Sequence, residues 1–199
     1  MSINGNTGPL SGVIVVDLTQ ILAGPVCTML LADMGADVIK VENPNGGDAN
    51  RRMGPPFIYS GEGDSRDPWS AGFMATNRNK RSLALDLRDE RGKGVFRRLV
   101  ERADIVVENF RPGVMDRFGL GYSELAKIKP GLVYCTISGF GSTGPYADRG
   151  GFDLIAQGMS GLMSITGHPD RPPAKVGVPI TDISAGLLAA NGILCAYIH

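Results

Sequence analysis

Two aspartates stand where a carboxylate could act. Asp153 lies in Gly150-Gly151-Phe152-Asp153, and Asp182 in Val178-Pro179-Ile180-Thr181-Asp182-Ile183-Ser184. Each opens a segment with helical periodicity. One reading is a helix cap, worth about 1 kcal/mol. The other, for Asp182, is a nucleophile that takes up an acyl group covalently. His168 sits in the loop-like Gly167-His168-Pro169-Asp170 and His199 is the last residue. With no other histidine, a Ser-His-Asp triad is hard to build and a His-rich metal site is excluded. Cys27, Cys135 and Cys195 are far apart in apolar contexts. That pattern fits buried thiols in a reducing cytosol, and neither a disulfide framework nor a zinc site.

Basic residues gather in Asn77-Arg78-Asn79-Lys80-Arg81 and recur as Arg51-Arg52, Arg88, Arg111 and Arg117. Arg88 and Arg111 follow strand-like runs. Cations at strand ends can cradle a phosphorylated ligand; a solvated charged face is the alternative. The segment Thr19-Gln20-Ile21-Leu22-Ala23-Gly24-Pro25 follows the first strand-like run, and its small residues would let a ligand approach the backbone. It is neither GxGxxG nor a Walker loop, so it implies no dinucleotide or ATP, and an ordinary strand-to-helix turn remains open.

The elements that must position these residues alternate. Apolar runs at 13–18, 37–42, 83–87, 104–109 and 132–137 read as strands covered on both faces. Helices are expected over 24–34, 89–101, 122–128, 153–165 and 182–198. Pro25 opens the first and Gly35 closes it; Ile155, Met159 and Leu162 share one face of the fourth. This order predicts an open α/β sheet with right-handed crossovers. Ligands of such sheets bind beyond the carboxyl ends of the strands, at helix N-termini. The Gly-rich stretches 43–69 and 139–151 break the alternation and are where a ligand is expected.

Composition sets outer bounds. The 199 residues are 43% hydrophobic and 20% charged, a globular composition with enough chain to bury a substantial core. Lys plus Arg and Asp plus Glu number 20 each, so no overall field draws the chain to nucleic acid or an anionic membrane. An anion site has to be local. The longest apolar stretch, 183–198, is interrupted by Ser184 and Asn191 and falls short of the roughly 20 residues of a membrane span. The opening Met-Ser-Ile-Asn-Gly-Asn-Thr-Gly-Pro-Leu-Ser-Gly has no Lys or Arg and no long apolar run, which speaks against a secretory signal. A soluble, cytoplasmic chain is expected. The last helix reaches His199 with no Gly or Pro terminator and is apolar nearly all round, so it expects further neighbours. That pattern suggests the N-terminal part of a longer protein.

Several motifs in series carry a resemblance: Asp17-Leu18-Thr19 through Ala23-Gly24-Pro25, then Gly35-Ala36-Asp37-Val38-Ile39-Lys40-Val41-Glu42 and Asn77-Arg78-Asn79-Lys80-Arg81-Ser82. Val107-Glu108-Asn109-Phe110-Arg111-Pro112-Gly113 and Gly139-Phe140-Gly141 through Gly144-Pro145-Tyr146 follow. The series resembles the class III CoA-transferase (CaiB/BaiF) family, the group of formyl-CoA transferase, carnitine-CoA transferase and α-methylacyl-CoA racemase. The resemblance implies a Rossmann-like α/β domain: an open, mostly parallel sheet with helices on both faces. Residues 1–199 would be the N-terminal part of that large CoA-binding domain, without the small domain and the C-terminal return. It implies an interlocked homodimer at full length, acyl-CoA and carboxylate substrates, and no permanent cofactor or metal.

By the same resemblance Asp182 is the nucleophile of a CoA-transferase, attacking an acyl-CoA thioester and later holding CoA as its own thioester. CoA contacts carry over to Leu22, Ala23, Leu85, Asp86, Leu87, Arg88, Asn109, Phe110, Arg111 and Arg117, the arginines meeting phosphates. Asn43 stands where the family often has an Arg that can stack on adenine. The racemase branch needs a histidine just before Asp153; Phe152 cannot move a proton. Ser160-Gly161-Leu162-Met163-Ser164-Ile165-Thr166-Gly167 looks most like enzymes that move CoA from succinyl-CoA to another dicarboxylate. A racemase or epimerase, and a non-catalytic CoA-binding fragment, are the alternatives.

Overall fold

The computed structural model describes residues 7–59 and 68–199. The start of the chain (1–6) and part of the 43–69 stretch (60–67) lie outside the described residues. In chain order the elements begin with β1 (Ile14–Asp17), α1 (Ala23–Asp33), β2 (Asp37–Glu42) and a 3-10 turn (Ala49–Arg52). Then come β3 (Phe57–Ile58), β4 (Trp69–Ser70), α2 (Ala71–Asn77), β5 (Lys80–Ala84) and α3 (Glu90–Val100). The rest are β6 (Ile105–Glu108), α4 (Val114–Arg117), α5 (Tyr122–Ile128), β7 (Val133–Thr136), α6 (Asp153–Met159) and α7 (Ile180–Ile198).

Five strands form one sheet in the order β5-β2-β1-β6-β7, every pair parallel. From β1 the chain steps outward through β2 and β5, then returns to lay β6 on the other side of β1. That reversal is a topological switch point, and it opens a crevice past the carboxyl ends of β1 and β6. The fold is the α/β sheet expected.

Side-chain alternation explains the two-sided core. Val15, Val38, Ile105 and Val107 pack with Cys27 and Leu31 of α1 and with Ala190 and Ile193 of α7. Val16 and Val106 point the other way, onto Phe96 and Val100 of α3 and Leu125 of α5. Helix α7 lies against α1 at a glycine: a Cβ on Gly186 would stand 2.5 Å from the Ala23 carbonyl oxygen and 3.0 Å from Val26 Cβ. This close approach draws the first turn of α7, with Asp182, toward the start of α1.

Several expectations need correction. Strand β5 begins at Lys80 rather than Leu83, because the Lys80 ammonium is buried on acceptors inside the fold and so sits in a strand despite its charge. The 153–165 helix stops at Met159; Gly161 turns left-handed at φ 82 and a short 3-10 turn, Leu162–Ser164, follows. On the face that carries Ile155 and Met159 both are exposed, while Gln157 is buried and bonds to Asp153 and to the backbone of Val176. The 43–69 stretch is not structureless; it contains the 3-10 turn and the antiparallel pair β3–β4. Only Cys27 is a buried thiol: Cys135 is half-buried, and Cys195 is exposed on the outer side of α7. Helix α7 is 19 residues long, enough by length and composition to cross a membrane, but Gly186, Ala190 and Ile193 tie one side of it to the domain.

Gly186→Ala is expected to lower unfolding free energy by about 1–3 kcal/mol through overpacking between α1 and α7. Gly192→Ala, in the same helix with nothing within 4 Å of the added Cβ, should instead raise it by up to about 1 kcal/mol. Urea titrations of the two variants check the contrast.

Candidate active site

The first loop and the last helix meet at the switch point. A cleft of about 430 Å³ is walled by Gln20, Ile21, Leu22 and Ala23 from the β1–α1 turn and by Asn109, Phe110 and Arg111 past β6. Ser138 and Gly139 past β7, Gly151 and Phe152 before α6, and Thr181 and Asp182 from α7 complete it. Asp182 is the third residue of its helix and half-buried. It does not cap α7. Asp153 does so instead, from another helix. Its Oδ1 accepts from the Thr181 amide at 2.9 Å and from Thr181 Oγ1 at 2.7 Å, while Oδ2 accepts from Gln157 Nε2 at 2.6 Å. Asp153 therefore opens one helix and caps the next.

Burial works against the charge of both carboxyls, with opposite net results. For Asp182, burial and the nearby negative charge of Asp153 raise its pKa above the ordinary carboxylate range. For Asp153, burial is outweighed by the Thr181 and Gln157 hydrogen bonds, and its pKa is lowered. The more basic of the pair faces the cleft. A carboxylate with raised pKa and part of its solvation removed is the better nucleophile.

A second cavity of about 160 Å³ lies alongside, lined by Asn43, Leu85, Asp86, Leu87, Arg88 and Phe118, and it shares Gln20 and Phe110 with the cleft. The residues drawn from the sequence thus fall into two groups. Leu22, Ala23, Asn109 and Arg111 face the same cleft as Asp182; Leu85, Asp86, Leu87 and Arg88 line the neighbour; Phe110 borders both. Arg117 borders neither cavity and is exposed at the end of α4.

The cations differ in availability. Arg88 is held by Asp86 through paired contacts of 2.9 Å, which lower the Asp86 pKa to about 2. Arg78 pairs with Asp33, Arg81 with Asp37, and Arg51 with Glu42, so most of the basic cluster is compensated. Arg111, Arg117 and Arg149 have no ion pair among the described residues. Arg149, which the sequence did not single out, lies 4.2 Å over the Tyr146 ring and borders the cleft. The loop that carries it is cinched where Gly139 and Gly151 meet; a Cβ on either would fall within 2.4 Å of the other's Cα. Among the described residues no group of three or more His, Cys, Asp or Glu side chains could hold a metal ion.

Sequence reasoning also passed over the groups beneath the first loop. Asp17 is fully buried and accepts from Thr19 Oγ1 at 2.5 Å, Thr28 Oγ1 at 2.7 Å and Lys80 Nζ at 3.0 Å. Burial pushes its pKa up, but Lys80, Lys40 and the two threonines outweigh it and the net shift is downward. Lys40 was the available signal: a charged residue within a strand covered on both faces is buried only when paired.

A family model described as CoA-transferase family III matches residues 10–199, nearly the whole chain. The chain belongs to that family. The succinate–glutarate CoA-transferase of Agrobacterium fabrum is 52% identical over 191 residues, covering 96% of this chain and 47% of that protein. The succinyl-CoA:mesaconate CoA-transferase of Haloarcula hispanica is 50% identical over 196 residues, covering 96% and 48%. A crystal structure of a CaiB/BaiF family protein from Brucella suis superposes with a TM-score of 0.90 at 51% identity, over 97% of this chain and 50% of that one. This CoA-transferase family III chain spans about half the length of the curated relatives it matches.

The pKa order gives a pH test. Between the ordinary Asp value of about 3.9 and the raised Asp182 value, the folded chain holds more protons than the unfolded chain. Stability contributed by this group therefore falls as pH rises through that window. A carbon-13 NMR titration of the Asp182 carboxyl should show a midpoint above the ordinary value, shifted down by Asp153→Asn. Asp182→Asn should raise the melting temperature at neutral pH.

Proposed function

We propose that this chain is the nucleophile-bearing N-terminal part of the large CoA-binding domain of a CoA-transferase, which moves CoA from succinyl-CoA to a carboxylic acid, most fittingly a dicarboxylate. The observation that carries it is Asp182: a half-buried, raised-pKa carboxylate set in a cleft at the switch point, opposite the start of α1. The names of the similar proteins, succinate–glutarate and succinyl-CoA:mesaconate transferases, support the donor and acceptor class.

The reaction needs no proton transfer. An Asp182 carboxylate oxygen attacks the thioester carbonyl, and the C–S bond breaks to release CoA thiolate and leave a mixed anhydride. The thiolate attacks the aspartyl carbonyl carbon, expelling succinate and storing CoA as a thioester on Asp182. The acceptor carboxylate attacks that carbonyl and releases the thiolate again. The thiolate then takes the acceptor's acyl carbon, and Asp182 leaves as a carboxylate. Each intermediate hydrolyses in water, so the cleft must close over it.

CoA fits as a substrate stretched between the two cavities, its thioester beside Asp182 and its nucleotide toward Asn43 and Leu85. Arg111, at the cleft, is free to meet phosphate, and Arg88 must exchange Asp86 for it; Arg117, outside both cavities, would meet only a part of CoA that reaches beyond them. Asn43 offers no guanidinium to stack on adenine. Phe152, at the cleft, cannot serve as the proton carrier a racemase requires. The outer sides of α6 and α7 expose Leu154, Met159, Leu188 (71%) and Ile198 (82%), and we assign that apolar surface to the rest of the polypeptide in an interlocked homodimer. Free thiols are in keeping with a cytoplasmic setting.

Mass spectrometry after incubation with succinyl-CoA, with hydroxylamine or borohydride trapping, tests the reading on this chain and on the full polypeptide. The expected result is an adduct on Asp182, with CoA exchange reduced about a thousandfold or more by Asp182→Ala and CoA binding retained. CoA binding without any adduct in either form would make this a binding module, and absence of CoA binding would overturn the assignment.

A further inference from the structure

Each backbone polar group of Thr19, Gln20 and Ile21 is held by a side chain, and all but the Thr19 amide by one from elsewhere in the fold. The Thr19 amide donates to Asp17 Oδ1 at 2.8 Å, and its carbonyl accepts from Lys40 Nζ at 2.6 Å. The Gln20 amide donates to Asn109 Oδ1 and its carbonyl accepts from Asn109 Nδ2, both at 2.8 Å. The Ile21 amide donates to Asp48 Oδ1 at 3.0 Å, and its carbonyl accepts from Asn50 Nδ2 at 2.8 Å. Asp48 in turn meets Lys40 Nζ at 3.0 Å, and both side chains are almost wholly buried (0% and 2% exposed).

Ile21 lies at φ +69, a conformation that a β-branched residue resists. Left to itself, this residue would relax to negative φ and swing the following residues. It does not, because Asp48 and Asn50 grip its two peptide groups. The consequence falls on the next residues: Leu22 and Ala23 face the cleft that holds Asp182, and Ala23 begins α1.

We infer that Asp48 and Asn50, backed by Lys40, are positioning residues: they hold Ile21 in its left-handed conformation and thereby set the Leu22–Ala23 wall against Asp182. The inference rests on the proposed transfer chemistry. It differs from a plain stabilising role in one respect. If the clamp acts by enforcing positive φ, a residue that adopts positive φ freely makes the clamp dispensable.

The test is a pair of mutant cycles in the full polypeptide, reading the rate of CoA-adduct formation on Asp182, the CoA dissociation constant, and hydrogen exchange of the 18–22 segment. Asn50→Ala and Asp48→Asn are each made in the Ile21→Ala and Ile21→Gly backgrounds. Alanine removes the isoleucine side chain beyond Cβ and, unlike glycine, still resists positive φ. The expected result is a loss of about 10–100-fold in adduct rate in the Ile21→Ala background, with CoA affinity changed less than about threefold. In the Ile21→Gly background the same substitutions should cost less than about threefold. Exchange of the 18–22 segment should quicken on Asn50→Ala in the protein with Ile21 intact. Equal losses in both backgrounds, or unchanged exchange, would overturn the positioning role. A protein with all native residues that forms no adduct would overturn the transfer reading first, and this role with it; that result appears before any variant is made.

Discussion

A buried Asp17 carboxylate at the end of the central strand is the interaction on which the rest depends. Lys80 reaches it from the edge strand β5 at 3.0 Å, and the same ammonium also bonds to Thr28 Oγ1, the Pro25 carbonyl and Asn77 Oδ1. Lys40 from β2 adds a second positive charge, shared with Asp48. Burying such charges is expensive, and removing one member of a buried pair typically costs about 3–5 kcal/mol because its partner is stranded. The arrangement is tolerable because the signs balance and every buried side-chain polar atom among the described residues has a partner. Its product is geometric: strands β1, β2 and β5, the start of α1 and the 3-10 turn converge on one point below the first loop.

A second polar network does similar work at the other wall. Asp153, Thr181, Gln157 and the Val176 backbone link α6 to the first turn of α7. It settles which carboxyl is spent on structure. Asp153 is engaged by hydrogen bonds and held below the usual range; Asp182 lines the cleft and is pushed above it. The two walls are brought together by the contact of Gly186 with Ala23, so a single missing side chain governs their separation. On the far side of this assembly α6 and α7 present apolar side chains to solvent, where an amphipathic surface helix would present polar ones.

Much of the scaffold was legible in the chain itself. Parallel strands covered on both faces must be continuous apolar runs, and four of five were placed within about a residue or two at each end. Helix 122–128 is matched at both ends, since Gly121 and Pro130 punctuate it. The fifth strand was misplaced because its defining feature, a lysine buried at the first position, has the wrong polarity for any pattern rule. That α6 buries Gln157 while exposing Ile155 and Met159 is equally outside a pattern rule, because Gln157 is buried by bonding rather than by apolarity. Short helices α2 and α4 carry too few turns for periodicity to show.

For the candidate site, residue types and motif order in the sequence sufficed to single out Asp182 and the loops after β1, β5 and β6, because strand ends and helix starts are local features. The family followed from the same motifs. What no local rule contains is the partnering across distance. That Asp153 caps a helix 28 positions later, and that Asp48 and Asn50 hold Ile21, are outcomes of packing. Charge balance and burial, which decide carboxylate basicity and cation availability, exist only once distant segments have been brought within a few ångströms of one another.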